Sequence, residues 1–341
     1  MPKLVHNCLH LLVHDKCFQV LDEIAVDVAS QPSATPKGKV DGQNTEDASR
    51  NIPSQGQIVR NSPASRLWRP AAQRNLRNQW SKLASLCNEW QTSASTARSH
   101  ATSIVNSYLS QRYLDGMDFG VLSDMPNIRT KSCRKLFKQQ ELYKGELLSS
   151  YKDLAKTVTR MIDVCKSMRC YFRGTTNSPL AQFSFFSGDD SDSGDCGGMP
   201  VFTLSSIANF EELAWEIVSM FISEINLKRL LVMELLSIHN EKVAEVTQLH
   251  WSDEFYEGEF DDLSICSLYS KKTCEIVLPN LESSGSSTTA IIQYKQQKDS
   301  DTLQVYITTW MVEVNIDKYR VDEIFAIVGG EMHVDFLQTL N

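Results

Sequence analysis

Ten positions, Leu76, Trp80, Leu83, Cys87, Trp90, Ala94, Ala97, Ala101, Ile104 and Tyr108, step alternately by four and three residues without a slip. That is the a/d alternation of a heptad, and it predicts one unbroken helix with a narrow apolar edge. The residues between them are mostly polar, with Ala84, Leu86, Val105 and Leu109 as exceptions. A helix of this length spans about 50 Å at ~1.5 Å per residue. A single rod cannot bury its own edge, so another helix must cover it. Trp80 and Trp90 demand room, whereas Ala94, Ala97 and Ala101 would let a partner backbone come close. The pattern suits a binding element better than a catalytic one. It predicts a seam that recruits a partner helix, with Leu76, Trp80, Leu83, Cys87 and Trp90 among the contact residues.

Two further long helices are expected. Met125-Pro126-Asn127 punctuates the chain after Gly116 and Gly120, and a second helix should run from about Thr130 to Phe172. Its seam is Leu136, Tyr143, Leu147, Tyr151, Leu154, Val158, Met161, Cys165, Met168 and Phe172, with a stutter-like phase shift at Tyr143–Tyr151. The short connection permits antiparallel pairing with the first helix. A third helix, from about Ser205 to Ile238, is apolar on nearly every side until Lys228-Arg229. Such a helix is expected to be buried and to close over the first two. Leu227 and Leu231 belong to its stripe.

The remaining segments differ in character. Residues 1–29 have the apolar spacing of a short helix, and His6, His10 and His14 recur every four residues. Neighbouring members of that trio could pinch a metal ion, which gives a metal-dependent enzyme as a minor alternative. Residues 30–70 are rich in Ser, Pro, Gly, Asn and Gln and read as a disordered linker. Thr35-Pro36 and Ser62-Pro63 within it are minimal proline-directed kinase sites. Arg60, Arg66, Arg69, Arg74 and Arg77 make a basic approach to the first helix, either a phosphate- or acid-binding stretch or a solvated helix entry.

The loop 174–204 contains an acidic, serine-rich run in which Ser191 and Ser193 are acidophilic kinase candidates. Residues 239–300 read as an insert. In it, Asp253, Glu254, Glu257, Glu259, Asp261 and Asp262 interleave with Trp251, Phe255, Tyr256 and Phe260. That alternation is either a linear docking motif or a loop whose aromatic residues fold back on the core. A Ser/Thr/Gly tract, Ser283–Thr289, follows it. Residues 301–335, with Trp310, complete the bundle. The stretch after Asp301 suits either a helix or a strand, and Asp317 is placed to cap a final helix ended by Gly329-Gly330. The expected domain order is therefore 1–29, 30–70, a long-helix domain 71–238, the insert 239–300 and the closing segment 301–335.

Composition narrows the function classes. A net charge of −8 argues against a dedicated nucleic-acid binder. Nine cysteines without regular spacing read as reduced thiols. No apolar run reaches the ~18 residues of a membrane span, and the first residues do not form a signal peptide. The expectation is a soluble intracellular protein. There is no phosphate-cradling glycine loop and no Gly-x-Ser-x-Gly elbow, so no catalytic residue, cofactor site or metal site is assigned.

Several pieces together resemble a known family. They are Trp80-Ser-Lys-Leu83 with Trp90, the Leu147–Met168 helix, and Leu227-Lys228-Arg229 with Glu234-Leu235. Leu303-x-x-Tyr306-x-x-x-Trp310, then Val321-Asp322-Glu323-Ile324-Phe325 and Glu331-Met332, complete the set. In this order, over about residues 76–334, the chain resembles the cyclin-dependent kinase 2 interacting proteins, as a plant-type member. Residues 1–70 have no counterpart there, and the interruption at 239–300 departs from the compact animal pattern. The resemblance implies a non-enzymatic, mainly nuclear helical adaptor, also cytoplasmic. It implies cyclin-dependent kinase and replication-checkpoint factors, or an AAA-type ATPase complex acting in chromatin proteostasis and ribosome maturation, as partners. The expected fold is all-α: an elongated antiparallel bundle or coiled coil of three long helices plus a C-terminal helical segment. The alternative reading is a structural coiled-coil subunit of a spindle or kinetochore assembly.

Overall fold

In the computed structural model, residues 63–173, 182–184, 193–239, 249–279 and 299–336 are described. All belong to the second of the two units into which the chain divides, Ser54–Asn341. The proposed 1–29 helix with its histidine trio, most of the 30–70 linker and the Ser283–Thr289 tract lie outside the described residues. So do Thr35, Ser62 and Ser191.

The described residues are mostly helical. Helix α1 spans Pro63–Gly116, α2 Ile128–Lys166, α3 Ile207–Leu236, α4 Glu259–Ile265, α5 Ser300–Val312 and α6 Lys318–Met332. Two short antiparallel hairpins join them. Strand β1 (Tyr171–Arg173) pairs with β2 (Gln182–Ser184), and β3 (Tyr269–Ser270) pairs with β4 (Glu275–Ile276).

All ten heptad positions of α1 are buried. The seam also extends backward by two steps of four, to Ala72 and Trp68, both in the core. This corrects the linker boundary, because the helix is already formed at Pro63. Trp68 fixes the extension, since its indole Nε1 donates to the carbonyl of Cys170 at 2.8 Å.

The second helix stops at Lys166, six residues short of the expected end. Its orphan C-terminal carbonyls are met from α1: buried Asn75 donates through Nδ2 to the carbonyls of Ser167 (2.8 Å) and Met168 (3.0 Å). Gln79 donates to the Asn75 Oδ1 and holds that amide in orientation. Pairs along the two helices run in opposite order. Asn75 meets Ser167, Arg160 meets Glu89, His100 meets Glu146, and Gln111 donates to Gln140. Thus α2 returns along α1.

Helix α3 is opened by Ser206, whose hydroxyl and Asn209 form a reciprocal capping box. Near its start, Glu211 receives both arms of Arg169 at 2.8 and 2.9 Å, just past the end of α2. Beyond its end, the Ile238 carbonyl accepts from Gln140. Helix α3 therefore runs with α1 and against α2. The expectation of apolar burial all round is corrected at Trp215, which is exposed. Asp299 and Asp317 cap α5 and α6 through their side chains. The stretch after Asp301 is helical, and the final helix passes Gly329-Gly330 to end at Met332.

Two arginines of the basic approach to α1 bond within the fold. Arg69 donates to the carbonyls of Val201 and Phe202, and Arg77 donates to that of Met332 while covering the Phe202 ring at 4.9 Å.

Candidate functional site

The interior charges sit on one turn of α3. Lys228 and Arg229, where the apolar run of this helix is interrupted, are fully buried. Adjacent residues on a helix point about 100° apart, so the two cations serve different neighbours.

Lys228 faces α1 and α5. Its Nζ lies 2.9 Å from the Glu224 carboxylate one turn earlier, donates to the Trp310 carbonyl at 2.6 Å, and sits 4.7 Å from the Trp310 ring centre. Burial pulls its pKa down, and the Glu224 charge opposes that shift. The other Glu224 oxygen accepts from the backbone N–H and the side-chain amide of Asn315. Trp90 Nε1 donates to Glu313 at 2.8 Å, and Trp310 Nε1 donates to the Ala94 carbonyl at 3.3 Å. The Trp90 ring meets Phe221 of α3 edge-on at 5.2 Å. This knot binds α1, α3 and the α5–α6 turn, where Glu313 holds a left-handed backbone (φ 52°).

Arg229 faces the segment read as an insert. Its Nε donates to Glu259 at 2.9 Å, and its two terminal nitrogens donate to the carbonyls of Trp251 and Asp253. The guanidinium is 4.5 Å from the Trp251 ring centre and 4.1 Å from that of Phe255. Glu259 also accepts from the Tyr151 hydroxyl (2.8 Å) and the Phe255 N–H (2.6 Å). Burial, with the Glu259 charge beside it, pushes the Tyr151 phenol well above its ordinary value. The aromatic residues therefore fold back on the core, and 249–279 is part of the helical unit.

The sequence-predicted contact residues are largely consumed in this packing. Leu76, Trp80, Leu83, Cys87, Trp90, Leu231 and Trp310 are buried, and Leu227 is half-buried against the core. Sequence alone leaves open whether the seam is closed within the chain or by another chain; here α2, α3, α5 and α6 cover it. The structure joins Trp90 and Trp310 in the lysine knot. Trp80 lies elsewhere, edge-on to Phe325 of α6 at 5.7 Å. Ser193 is exposed, with its hydroxyl donating to Asp195 at 2.5 Å.

Sequence reasoning missed both ion knots, because the Glu259 carboxylate lies 30 residues from Arg229 and the Trp310 carbonyl that covers Lys228 lies 82 residues from it. Two grooves flank this core. One, about 170 Å³, lies over the lysine knot between Arg98, Trp310 and Lys318. The other, about 360 Å³, is lined by Phe325, Ala326, Gly329, Val334 and Phe336. Among the described residues no group of three or more His, Cys, Asp or Glu is placed to hold a metal ion. None of the described helices is long and apolar enough to cross a membrane.

Comparison with known proteins finds no family model that matches the chain, and no match among curated proteins or among solved structures.

Proposed function

We propose that this protein is a non-enzymatic adaptor built as an elongated antiparallel helical bundle, with coiled-coil-like packing along α1 and α2. One observation carries the reading. The buried ions and ring N–H groups of the two knots tie segments of the chain to each other, while eight large exposed apolar side chains lie at just two helix turns. Met117, Val121, Leu122 and Met125 lie between α1 and α2, and Met311, Val312, Val314 and Tyr319 lie around the α5–α6 turn. Exposed apolar clusters of this kind mark contact sites for other proteins.

The resemblance to the cyclin-dependent kinase 2 interacting proteins supplies the partner class: a cyclin-dependent kinase with replication-checkpoint factors, or an AAA-type ATPase complex, in the nucleus. The test is co-purification at native expression followed by mass spectrometry. Kinase or AAA-type ATPase subunits in stoichiometric yield support the reading. Tubulin or kinetochore proteins favour the structural alternative, and recovery of the chain alone refutes both.

A further inference from the structure

We infer that the α1–α2 turn and the first three turns of α2 form a docking surface for an acidic, amphipathic protein segment. The inference rests on the adaptor reading and names the chemistry of one partner contact.

Arg129, Lys131, Arg134, Lys135 and Lys138 place five cations, and no carboxylate, in the stretch from Arg129 to Lys138, within a chain of net charge −8. Lys131, Lys135 and Lys138 follow the i, i+4, i+7 spacing that puts them on one helical face, with exposed Leu142 one turn beyond. Lys131, Arg134, Lys135 and Lys138 are all exposed, and none makes an ion pair among the described residues. Farther along the same helix acids interleave with the bases, and two of the cations are paired. Lys144 pairs with Glu141 at 2.9 Å, and Arg160 reaches across to Glu89 at 2.6 Å.

Lys131, in the first turn of α2, also sits at the wrong end of the helix for its own stability. The N-terminus of α2 is the positive end of the backbone dipole. Its cap residue Asn127 is left-handed (φ 63°) and gives no side-chain cap, and the first turn holds no acid. Dipole and side chains thus add to one concentrated positive field, which a carboxylate-bearing partner would relieve.

Beside that field the turn exposes apolar side chains. Val121 is 90% exposed, Met117 56% and Met125 52%. Arg129 ties the turn to the helix, donating to the Met117 carbonyl at 3.1 Å and lying 4.9 Å from the Phe119 ring centre. Two carboxylates on the turn, Asp118 and Asp124, select among polyanions. A phosphodiester backbone or an anionic lipid surface approaching Val121 would meet both acids and leave the apolar side chains poorly matched. A protein segment with apolar residues at one end and carboxylates along the next turns satisfies both halves of the surface.

The test uses the full chain and fluorescence anisotropy. The probe is a labelled synthetic helix with leucines at one end and glutamates along one face. A second peptide has every glutamate changed to glutamine. Duplex DNA and phosphatidylcholine–phosphatidylserine vesicles are the other arms. Two variants, Lys131→Glu/Lys135→Glu/Lys138→Glu and Val121→Ser/Met125→Ser, alter exposed side chains and are expected to keep the wild-type circular dichroism spectrum.

The acidic peptide is expected to bind, and to lose affinity about tenfold or more in each variant, with the glutamine peptide and as salt rises. Tighter binding of DNA or vesicles than of the peptide, no binding of the peptide, or binding unmoved by both variants overturns the inference. Native co-purification separates this failure from that of the adaptor reading. Partners retained by the charge-reversed variant place their contacts elsewhere, whereas no partner on the wild type removes the adaptor reading itself.

Discussion

Replacing Arg229 with methionine tests whether the 249–279 segment is held by one buried guanidinium. Methionine keeps the length and apolar stem of the side chain but removes every donor. The loss includes the ion pair to Glu259 and the hydrogen bonds to the Trp251 and Asp253 carbonyls. Arg229 and Glu259 are both fully buried, so the variant leaves an uncompensated carboxylate in the interior. Removing one partner of such a pair costs about 3–5 kcal/mol. That is a large share of the roughly 5–15 kcal/mol that stabilises a typical domain. For a unit of this size it corresponds to a melting-temperature drop of about 6–20 °C.

Thermal and urea unfolding followed by circular dichroism read the total. Hydrogen exchange resolved along the chain reads the location. Amides of 249–266 should lose protection while α1 and α2 keep theirs, because Glu259 and Phe255 are held to α3 and α2 through this centre. The double replacement Arg229→Met/Glu259→Leu should not restore stability. It leaves the Tyr151 hydroxyl and the Phe255 N–H without their acceptor, at about 1–3 kcal/mol for each buried group. An Arg229→Met protein within about 1 kcal/mol of wild type would refute the reasoning, as would uniform loss of protection along the chain.

Three other outcomes follow from single contacts. Trp90→Phe removes the donor to Glu313 and should cost about 1–3 kcal/mol beyond its volume change. Trp80 Nε1 is buried without a hydrogen-bond partner, so Trp80→Phe should be milder; urea titration ranks the two. Gly330→Ala has open space around the added methyl and should stabilise α6 by about 0.5–1 kcal/mol. Gly329→Ala brings Cβ to 2.5 Å from the Val334 carbonyl oxygen and should destabilise it, a difference of sign that thermal melts resolve. Burial pushes the Cys87, Cys165 and Cys266 thiols from 9.0 up to about 12. The unfolded chain releases these protons first, so stability is intact below pH 9 and falls as pH rises between 9 and about 12. The loss is on the order of 1 kcal/mol per thiol per pH unit, and Cys87→Ala should make the fall shallower in denaturant midpoints measured against pH.

The parts of the fold legible in the sequence are those whose cause is local. The 3–4 alternation from Leu76 to Tyr108 is a property of neighbouring turns, and every one of its positions is buried. The caps at Asp299 and Asp317 are local as well. The start of α1 was hidden because Trp68, Ala72 and Leu76 step by four twice, inside a stretch whose composition matches a linker. The end of α2 was hidden because it depends on Asn75, whose amide answers carbonyls 92 and 93 residues away. The burial of Lys228 and Arg229 is the extreme case. Periodicity marks this pair only as the place where the apolar run is interrupted, and its burial depends on a carboxylate 30 residues from Arg229 and a carbonyl 82 residues from Lys228.

These two cations explain why the seam is closed by the chain itself. Glu224 lies on the same face as Lys228 one turn away, so the lysine arrives already neutralised. What it lacks is a cover, and the α5–α6 turn provides one through the Trp310 carbonyl and ring. Arg229 has no such neighbour on its own helix. Its carboxylate comes from Glu259, 30 residues further on, and drags Trp251 and Phe255 into place over the guanidinium. Without the second segment, an unpaired guanidinium would face apolar surface, a state too costly to persist. One turn of α3 therefore recruits both covers of the three-helix core. With the seam filled in this way, any contact with another protein falls to surfaces the chain leaves uncovered. Among these, the α1–α2 turn combines an unbalanced charge with exposed apolar side chains.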